Sequence, residues 1–385
     1  MRSRSGEGRK TSDSAPPLLT ALFVVRRGGR GVRRLENCMS LPAILSLATG
    51  LPAQRYTQAE IFEYLQPLFT RARHARSIFN HSGIEYRSMV VDRAYYTEER
   101  RTENRNERYL TEALPLGEAT LQRCLAAAGC EPEAVTDFFV VSCTGFDIPG
   151  LDLRLAGQLG MRSDLRRTCV LGMGCYGAFP ALLRAREAVA ARPGRRALVL
   201  ALELCSLHMQ MDDSLENMVV SALFADGAAA ALIGEPANGF AGPRLLDAET
   251  HCDYRTFDHM AFHVTDHGFR MQLSAYVPEL LAAQIEDFVD GLLRRNNLAR
   301  SEVRFWGIHP GGNKILDYLQ SRLELTDAHL DFSRSVLRDY GNMSSPTILF
   351  VLDEIQRRGE PVPGDYGVLL AFGPGLTMES ALVQW

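Results

Sequence analysis

From residue 42 to the last residue, apolar runs of strand length alternate with segments of helical periodicity. In the first half, the pattern predicts strands over 137–142, 167–171, 196–202 and 227–233 and helices over 151–159 and 179–191. In the second half, it predicts strands over 305–308, 366–372 and 380–384 and helices over 277–296, 315–323 and 347–358. This alternation indicates an α/β architecture. The second half repeats the rhythm of the first without visible sequence identity, which leaves a duplication open.

Composition excludes several classes of protein. The chain has 385 residues, of which 46% are hydrophobic and 23% charged, as is typical of a folded globular protein and not of a disordered or fibrous one. No run approaches the roughly 20 uncharged apolar residues that a membrane span needs, so we expect no integral membrane segment. The net charge of −4 gives no general attraction to nucleic acid, and we expect no nucleic-acid partner.

The eight cysteines are scattered along the chain, and none forms a CxxC pair. A disulfide framework and a structural zinc site are therefore disfavoured, and no metal site is predicted. This pattern, in a long chain without a clear secretory signal, favours a reduced, cytoplasmic location.

Residues 1–38 differ from the rest in carrying nine basic residues and a short apolar run over 18–25. Arg26-Arg27-Gly28-Gly29 stands where a secretory signal would need small cleavage-site residues. We expect a disordered extension or an upstream start, with Met39 as the natural first residue.

A glycine-flanked cysteine lies between a predicted strand and a predicted helix, in Gly172-Met173-Gly174-Cys175-Tyr176-Gly177. Taken as GxGxxG, the motif would bind a dinucleotide, with Glu203 near the place of an acidic ribose partner. Its position in mid-chain and its cysteine argue against that, and a buried inert thiol is a further alternative. We favour a nucleophile at a helix N-terminus, where the pKa of a thiol falls to about 3.5–7.5.

Two further polar residues follow predicted elements of the second half. His309 follows the strand over 305–308 on a glycine loop, and Asn342 precedes the last long helix. Alone, His309 would be a structural histidine and Asn342 a helix N-cap. Together with Cys175 they form a set suited to acyl chemistry on sulfur.

Four motifs carry a family resemblance: GMGCYGAFPAL around Cys175, WGIHPGGNKILD around His309, YGNMSSPTILFVLDE around Asn342 and AFGPGL at 371–376. In this order they resemble the type III polyketide synthases, the chalcone synthase-like enzymes of the thiolase superfamily, from about residue 42 to 385. The resemblance implies a five-layered αβαβα thiolase fold built from two similar halves. We place a first half at 39–245, carrying the cysteine, and a second at 246–385, carrying the histidine and asparagine.

The resemblance also implies the chemistry. Cys175 would take an acyl group from an acyl-CoA starter, and malonyl-CoA would lose carbon dioxide and attack the thioester. His309 and Asn342 would donate hydrogen bonds to the developing oxyanion. Coenzyme A thioesters are then substrates, and no cofactor is implied. The family works as homodimers, in which Ile148 matches the position that reaches into the partner's cavity.

The remaining site residues are carried over by motif. Phe224 and Phe262 match two gatekeeper phenylalanines, for which core packing is the plainer alternative. The cavity would be shaped by Cys143, Thr144, Cys205, His208, Gly373, Pro374 and Gly375; Ala371 stands where the family usually has glycine. Cys143 is either a lining residue or a second functional thiol. The phosphates of coenzyme A would meet Arg71, Arg73, Arg76 and Arg87, unless these form a solvated face.

Residues 263–271 resemble the bacterial alkylpyrone and alkylresorcinol synthases, which take long fatty acyl starters. We therefore expect iterative condensation onto such a starter, followed by closure to an alkylpyrone or alkylresorcinol. The alternative is a ketoacyl synthase III-type enzyme of fatty-acid initiation, which would perform one condensation with an acyl carrier protein. A silent acyl-CoA-binding scaffold would not need Cys175, His309 and Asn342 together.

Overall fold

Thirteen strands occur in the described part of the computed structural model, residues 41–210 and 212–385. The extension expected at 1–38 lies outside the described residues. The strands are β1 Ala43–Gly50, β2 Arg55–Thr57, β3 Tyr86–Ser88, β4 Asp137–Val141, β5 Arg166–Val170, β6 Arg196–Leu204, β7 Asp226–Gly234, β8 Arg244–Cys252, β9 Met260–Thr265, β10 Gly268–Leu273, β11 Val303–Ile308, β12 Tyr366–Gly373 and β13 Thr377–Gln384.

Eleven helices accompany these strands within the same residues. They are α1 Gln58–Leu65, α2 Ala72–Asn80, α3 Thr102–Ala127, α4 Leu151–Gln158, α5 Ala178–Ala191, α6 Leu215–Leu223, α7 Val277–Ala282, α8 Ile285–Arg295, α9 Asn313–Leu323, α10 Asp327–Tyr340 and α11 Thr347–Arg358. None of the described helices is both long and apolar enough to span a membrane.

Nine strands form one mixed sheet in the order β11-β12-β13-β8-β1-β7-β6-β4-β5. Only one residue pair, Ala43 with Arg244, joins β1 to β8, so the sheet consists of two halves that meet at a narrow seam. In the first half, β4 and β6 are parallel, and β6, β7 and β1 are successively antiparallel. In the second, β11 and β12 are parallel, and β12, β13 and β8 are successively antiparallel. The same pairing pattern therefore occurs twice, and β5 extends the first half.

Helices cover both faces of each half. Helices α5 and α11 both contact strands of both halves, which places them in a middle layer. Helix α3 packs on β1, β6 and β7, and α8 packs on β8, with their apolar residues in a separate outer cluster. Along β4 the side chains alternate, because Phe138 and Val140 join the outer cluster while Phe139 and Val141 join the middle one. The predicted αβαβα layering is confirmed.

The strands and helices predicted from periodicity are present, with ends that differ by up to three residues. One prediction is wrong: the helix over 277–296 is two helices, α7 and α8, separated at Ala283 and Gln284. Gln284 leaves helical geometry, and its amide contacts His251 at 2.7 Å and Asp253 at 3.1 Å. These contacts to β8 and the segment after it are tertiary and leave no mark in local periodicity.

Truncation in the middle layer tests how firmly the halves are held together. Phe179 of α5 is completely buried there. We expect Phe179→Ala to lower the free energy of unfolding by about 3–5 kcal/mol, measured by urea denaturation, because a buried phenylalanine leaves a cavity. Leu215→Ala serves as the control, since Leu215 is 62% exposed and its loss should cost under about 0.5 kcal/mol. Equal effects of the two changes would contradict the assignment of the middle layer.

Candidate active site

The turn that carries Cys175 runs from the end of β5 to the start of α5. Gly172 and Gly174 have φ values of 70° and 67°, a region that favours glycine. A Cβ on Gly174 would lie 2.6 Å from Pro374, so the second half of the molecule packs directly on this turn. The Gly174 side of the turn therefore faces protein rather than a pyrophosphate, which argues against the dinucleotide alternative.

The three residues expected to act together are all buried, with 5% of Cys175, 1% of His309 and 2% of Asn342 exposed. Cys175 lies within hydrogen-bonding reach of the side chains of Asn342 and Ser344. His309 follows β11, and its main-chain N–H donates to Leu370 of β12 at 2.8 Å. Within the described residues, neither ring nitrogen of His309 has a hydrogen-bond partner. The part of the chain that is described therefore engages neither nitrogen.

Asn342 is not the N-cap that its sequence position suggests, because α11 begins only at Thr347. Its main chain instead bridges the end of α6. Its N–H donates to Leu223 at 2.9 Å, and its carbonyl accepts from Ala225 at 2.9 Å, which places Phe224 beside it. The side-chain Oδ1 accepts from the N–H of Ser344 at 2.8 Å. Since Oδ1 is engaged, the NH₂ of this amide is the group that can donate toward Cys175.

Glu203, expected from the sequence only as a ribose partner, is a buried residue of this site. It accepts hydrogen bonds from the main-chain N–H of Cys143 at 2.9 Å, from Thr144 Oγ1 at 2.8 Å and from Ser345 Oγ at 2.7 Å. Burial raises the pKa of this carboxyl, and the hydrogen bonds partly offset that. Its position at the end of β6 was the available signal, but its donors come from distant segments.

Burial also governs the ionisation of the reacting pair. It raises the pKa of Cys175 to about 11, although hydrogen bonds from Ser344 and Asn342 oppose the shift, and it lowers the pKa of His309 to about 3. The expected low thiol pKa is therefore wrong for this site, because desolvation outweighs the hydrogen bonds that favour the thiolate. The raised thiol pKa and the lowered imidazole pKa both favour the neutral forms.

Two spaces lie beside these residues. One, of about 580 Å³, is lined by the expected residues Cys143, Phe262, Pro374 and Gly375 together with exposed apolar residues, namely Phe146, Leu171, Phe257 and Val264. The other, of only about 20 Å³, is lined by the expected Thr144, Cys205, His208 and Phe224. A Cβ on Gly373 would lie 2.6 Å from Tyr176, so this glycine is needed for close approach to the Cys175 turn.

His208 closes the smaller space. Its Nδ1 accepts from the N–H of Phe269 at 3.1 Å, so the other nitrogen, Nε2, carries the proton and donates to the carbonyl of Thr144 at 2.7 Å. The imidazole stacks on the Phe269 ring with centroids 4.3 Å apart. Burial lowers the pKa of His208 to about 4, which keeps this bridge neutral.

The predicted peripheral residues divide into two groups. Arg71, Arg73 and Arg76 are exposed in and beside α2, where they can meet an anion from solution. Arg87 is completely buried, and its assignment to the coenzyme A entrance is wrong. Ile148 is 81% exposed, as a residue that reaches outward must be.

Comparison with known proteins identifies the family. Residues 31–237 match the N-terminal domain of chalcone and stilbene synthases, and residues 252–385 match their C-terminal domain. This chain belongs to that family, the type III polyketide synthases, and it is therefore an acyl-transferring condensing enzyme.

Individual relatives span nearly the same length. A 1,3,6,8-tetrahydroxynaphthalene synthase of Streptomyces peucetius is 34% identical, covering 89% of this chain and 93% of its own. A 3,5-dihydroxyphenylacetyl-CoA synthase of Streptomyces toyocaensis is also 34% identical, covering 89% and 90%. Among solved structures, the polyketide synthase PKS-I of the brown alga Ectocarpus siliculosus has a TM-score of 0.85 at 30% identity, covering 90% and 98%.

The neutral state of His309 can be tested through stability. Its pKa in the folded protein, about 3, lies below the ordinary value of 6.5, so the unfolded chain takes up a proton first as the pH falls. The neutral ring makes its full contribution to the free energy of unfolding above about pH 6.5, and this contribution is lost as the pH falls toward 3. The free energy of unfolding should fall between pH 7 and pH 5 by about 2 kcal/mol less in His309→Gln than in the wild type.

The measurement is urea denaturation at a series of pH values. The control is His267→Gln, which removes an exposed histidine beside the exposed Glu99 and should change the slope less than His309→Gln does. The same slope in the wild type and in His309→Gln would show that His309 is not buried in its neutral form.

Proposed function

We propose that this enzyme condenses malonyl-CoA iteratively onto an acyl group held as a thioester on Cys175. The observation that carries the proposal is the buried Cys175 within reach of the Asn342 amide, in a family site that also holds the two free nitrogens of His309. A site with both a nucleophile and hydrogen-bond donors for an oxyanion can perform both acyl transfer and enolate formation.

Loading begins when the thiol proton of Cys175 passes to His309. The two neutral groups then become a thiolate and an imidazolium together, and their mutual attraction offsets the cost of burying each charge. The sulfur attacks the thioester carbon of the starter, a carbon–sulfur bond forms, and the bond to the coenzyme A sulfur breaks. His309 returns the proton to the departing coenzyme A.

Extension uses the same donors at a different oxygen. Malonyl-CoA loses carbon dioxide, and the electron pair of the broken carbon–carbon bond moves into an enolate. The NH₂ of Asn342 and the neutral N–H of His309 donate to the enolate oxygen. The enolate carbon attacks the acyl thioester, the Cys175 thiolate leaves, and the longer chain can be loaded again. A neutral asparagine suits this step, since a carboxylate would repel the enolate.

For the starter we propose a long fatty acyl group, with closure to an alkylpyrone or alkylresorcinol. Support comes from the apolar lining of the space of about 580 Å³, which lies within the range of ligand pockets. The exposed Arg71, Arg73 and Arg76 would meet the phosphates of coenzyme A.

A second candidate product has its own observation. Cys143 is a second thiol in this site: its sulfur lies 3.9 Å from Ser344 Oγ, and Ser344 also reaches Cys175. One of the relatives makes 1,3,6,8-tetrahydroxynaphthalene. A polyketide built from malonyl-CoA alone, with Cys143 assisting, is therefore the alternative to a fatty starter.

We also propose that the enzyme is a homodimer. The edge strand β5 is largely exposed, and apolar side chains lie exposed near it, at Phe146, Ile148, Leu153 and Leu171. Phe146 and Leu171 also line the larger space, so a second copy covering them would close that space from solvent. Ile148 would then reach the partner's cavity.

Single substitutions separate the two half-reactions, which are the loading of the starter on Cys175 and the decarboxylation of malonyl-CoA. We expect Cys175→Ala to abolish covalent loading of a labelled starter, measured by intact-protein mass spectrometry. Cys124→Ala is the matched control, because Cys124 is a buried thiol whose sulfur lies 3.3 Å from Ser46 Oγ. Full labelling of Cys175→Ala would move the nucleophile elsewhere.

Asn342→Ala should still load the starter, while carbon dioxide release from malonyl-CoA falls by about 10²–10³-fold through loss of an oxyanion donor. Asn296→Ala, at the end of α8, is the control and should release carbon dioxide at the wild-type rate. Unaltered release in Asn342→Ala would remove the role assigned to this amide.

A product profile distinguishes the candidate starters. The full chain is mixed with malonyl-CoA and acyl-CoA starters from acetyl to stearoyl, and the products are analysed by mass spectrometry. Pyrones or resorcinols with long alkyl tails are expected, because the apolar lining favours such chains. Tetrahydroxynaphthalene from malonyl-CoA alone, lost in Cys143→Ala, would establish the second candidate. A single β-ketoacyl product formed only on a carrier protein would contradict both.

A further inference from the structure

Helix α6 ends at the proposed gatekeeper Phe224. Its last carbonyl groups therefore have no N–H donor within the helix. Donors from elsewhere in the chain satisfy them. Arg87 Nη1 donates to the carbonyl of Ser221 at 2.8 Å and to that of Phe224 at 2.7 Å. The carbonyl between them, Ala222, accepts from Gln58 Nε2 at 2.8 Å.

The next carbonyl, that of Leu223, accepts from the main-chain N–H of Asn342. One helix end thus holds the proposed oxyanion donor and the gatekeeper through adjacent residues. Arg87 also packs against Gly341, the residue before Asn342. A Cβ placed on Gly341 would lie only 2.8 Å from Arg87 Cγ. Gly341 has a φ of 73°, so both its backbone and its lack of a side chain fit this contact.

The charge of Arg87 suits its place. It is completely buried, and burial lowers its pKa only to about 10, so the guanidinium stays protonated at neutral pH. A cation at a helix C-terminus interacts favourably with the negative end of the helix dipole. Its Nε and Nη2 find no acceptor among residues 41–210 and 212–385, so the two carbonyls of α6 are its principal anchors.

We propose that Arg87 is a positioning residue that holds Phe224 and Asn342 in the relative positions that malonyl decarboxylation needs. The inference rests on the proposed function, in which Asn342 donates to the enolate. The Cys175 turn is also held away from Arg87, because Gly174 packs against Pro374. Arg87 should therefore affect decarboxylation more strongly than loading.

The test compares the two half-reactions in Arg87→Met, which keeps an unbranched apolar stem and removes the guanidinium. Loading is measured by intact-protein mass spectrometry with acyl-CoA alone. Decarboxylation is measured as carbon dioxide release from malonyl-CoA labelled in its free carboxyl group. We expect loading within about twofold of the wild type and decarboxylation reduced at least about tenfold, because small misplacement of a catalytic group costs up to about 10²-fold.

Two further variants separate positioning from general stability. Arg186→Met is the matched control, since Arg186 also donates to two main-chain carbonyls, those of Leu245 and Leu246, at 2.8 and 2.7 Å. It should leave the ratio of decarboxylation to loading unchanged. Arg87→Lys keeps the charge and a donor and should restore part of the decarboxylation rate. If Arg87→Met does not fold, Arg87→Lys still tests the ratio, which should lie below that of the wild type.

A wild-type ratio in a folded Arg87→Met or Arg87→Lys would overturn the inference, and so would an equal fall in both half-reactions. Failure of the wild-type enzyme to load a starter on Cys175 would be a different result. It would overturn the proposed function itself, and the two failures are thus distinguishable.

Discussion

The assembly of the site depends on the hydrogen bonds that the buried carboxyl group of Glu203 accepts. This group receives donors from the end of β4, through Cys143 and Thr144, and from the second half of the chain, through Ser345. A carboxyl group without these donors would be costly to bury, and each donor without the carboxyl would be left unsatisfied at about 1–3 kcal/mol. The two halves of the molecule are therefore tied together beside Cys175.

Burial sets the chemical character of this centre. The same desolvation that disfavours a lone Cys175 thiolate also disfavours a lone His309 imidazolium. Their proton transfer is therefore coupled, and a charged pair exists only when both charges form together. In its neutral form His309 has one ring N–H to donate, which suits the enolate of the proposed mechanism. A site that stays neutral at rest also suits the apolar space beside it.

The sequence predicted much of this arrangement but not its contacts. Strands and helices such as β4, α5 and α11 follow from periodicity, because each has one buried face or is buried throughout. The break at Gln284 was not predictable, since it depends on β8 and the segment that follows it. Arg87 was assigned to a solvent-exposed entrance because local sequence cannot distinguish a buried arginine from an exposed one.

By itself, the sequence determined the α/β class and the family, and it singled out Cys175, His309 and Asn342 as site candidates, because these depend on local pattern and on motif. The tertiary structure decided the burial and the hydrogen-bond partners of those residues. It buried the thiol and raised its pKa, joined Asn342 to the end of α6, and placed Arg87 against the last carbonyl groups of that helix. Desolvation and hydrogen-bond partners come from segments distant in the chain, so only the folded molecule specifies them.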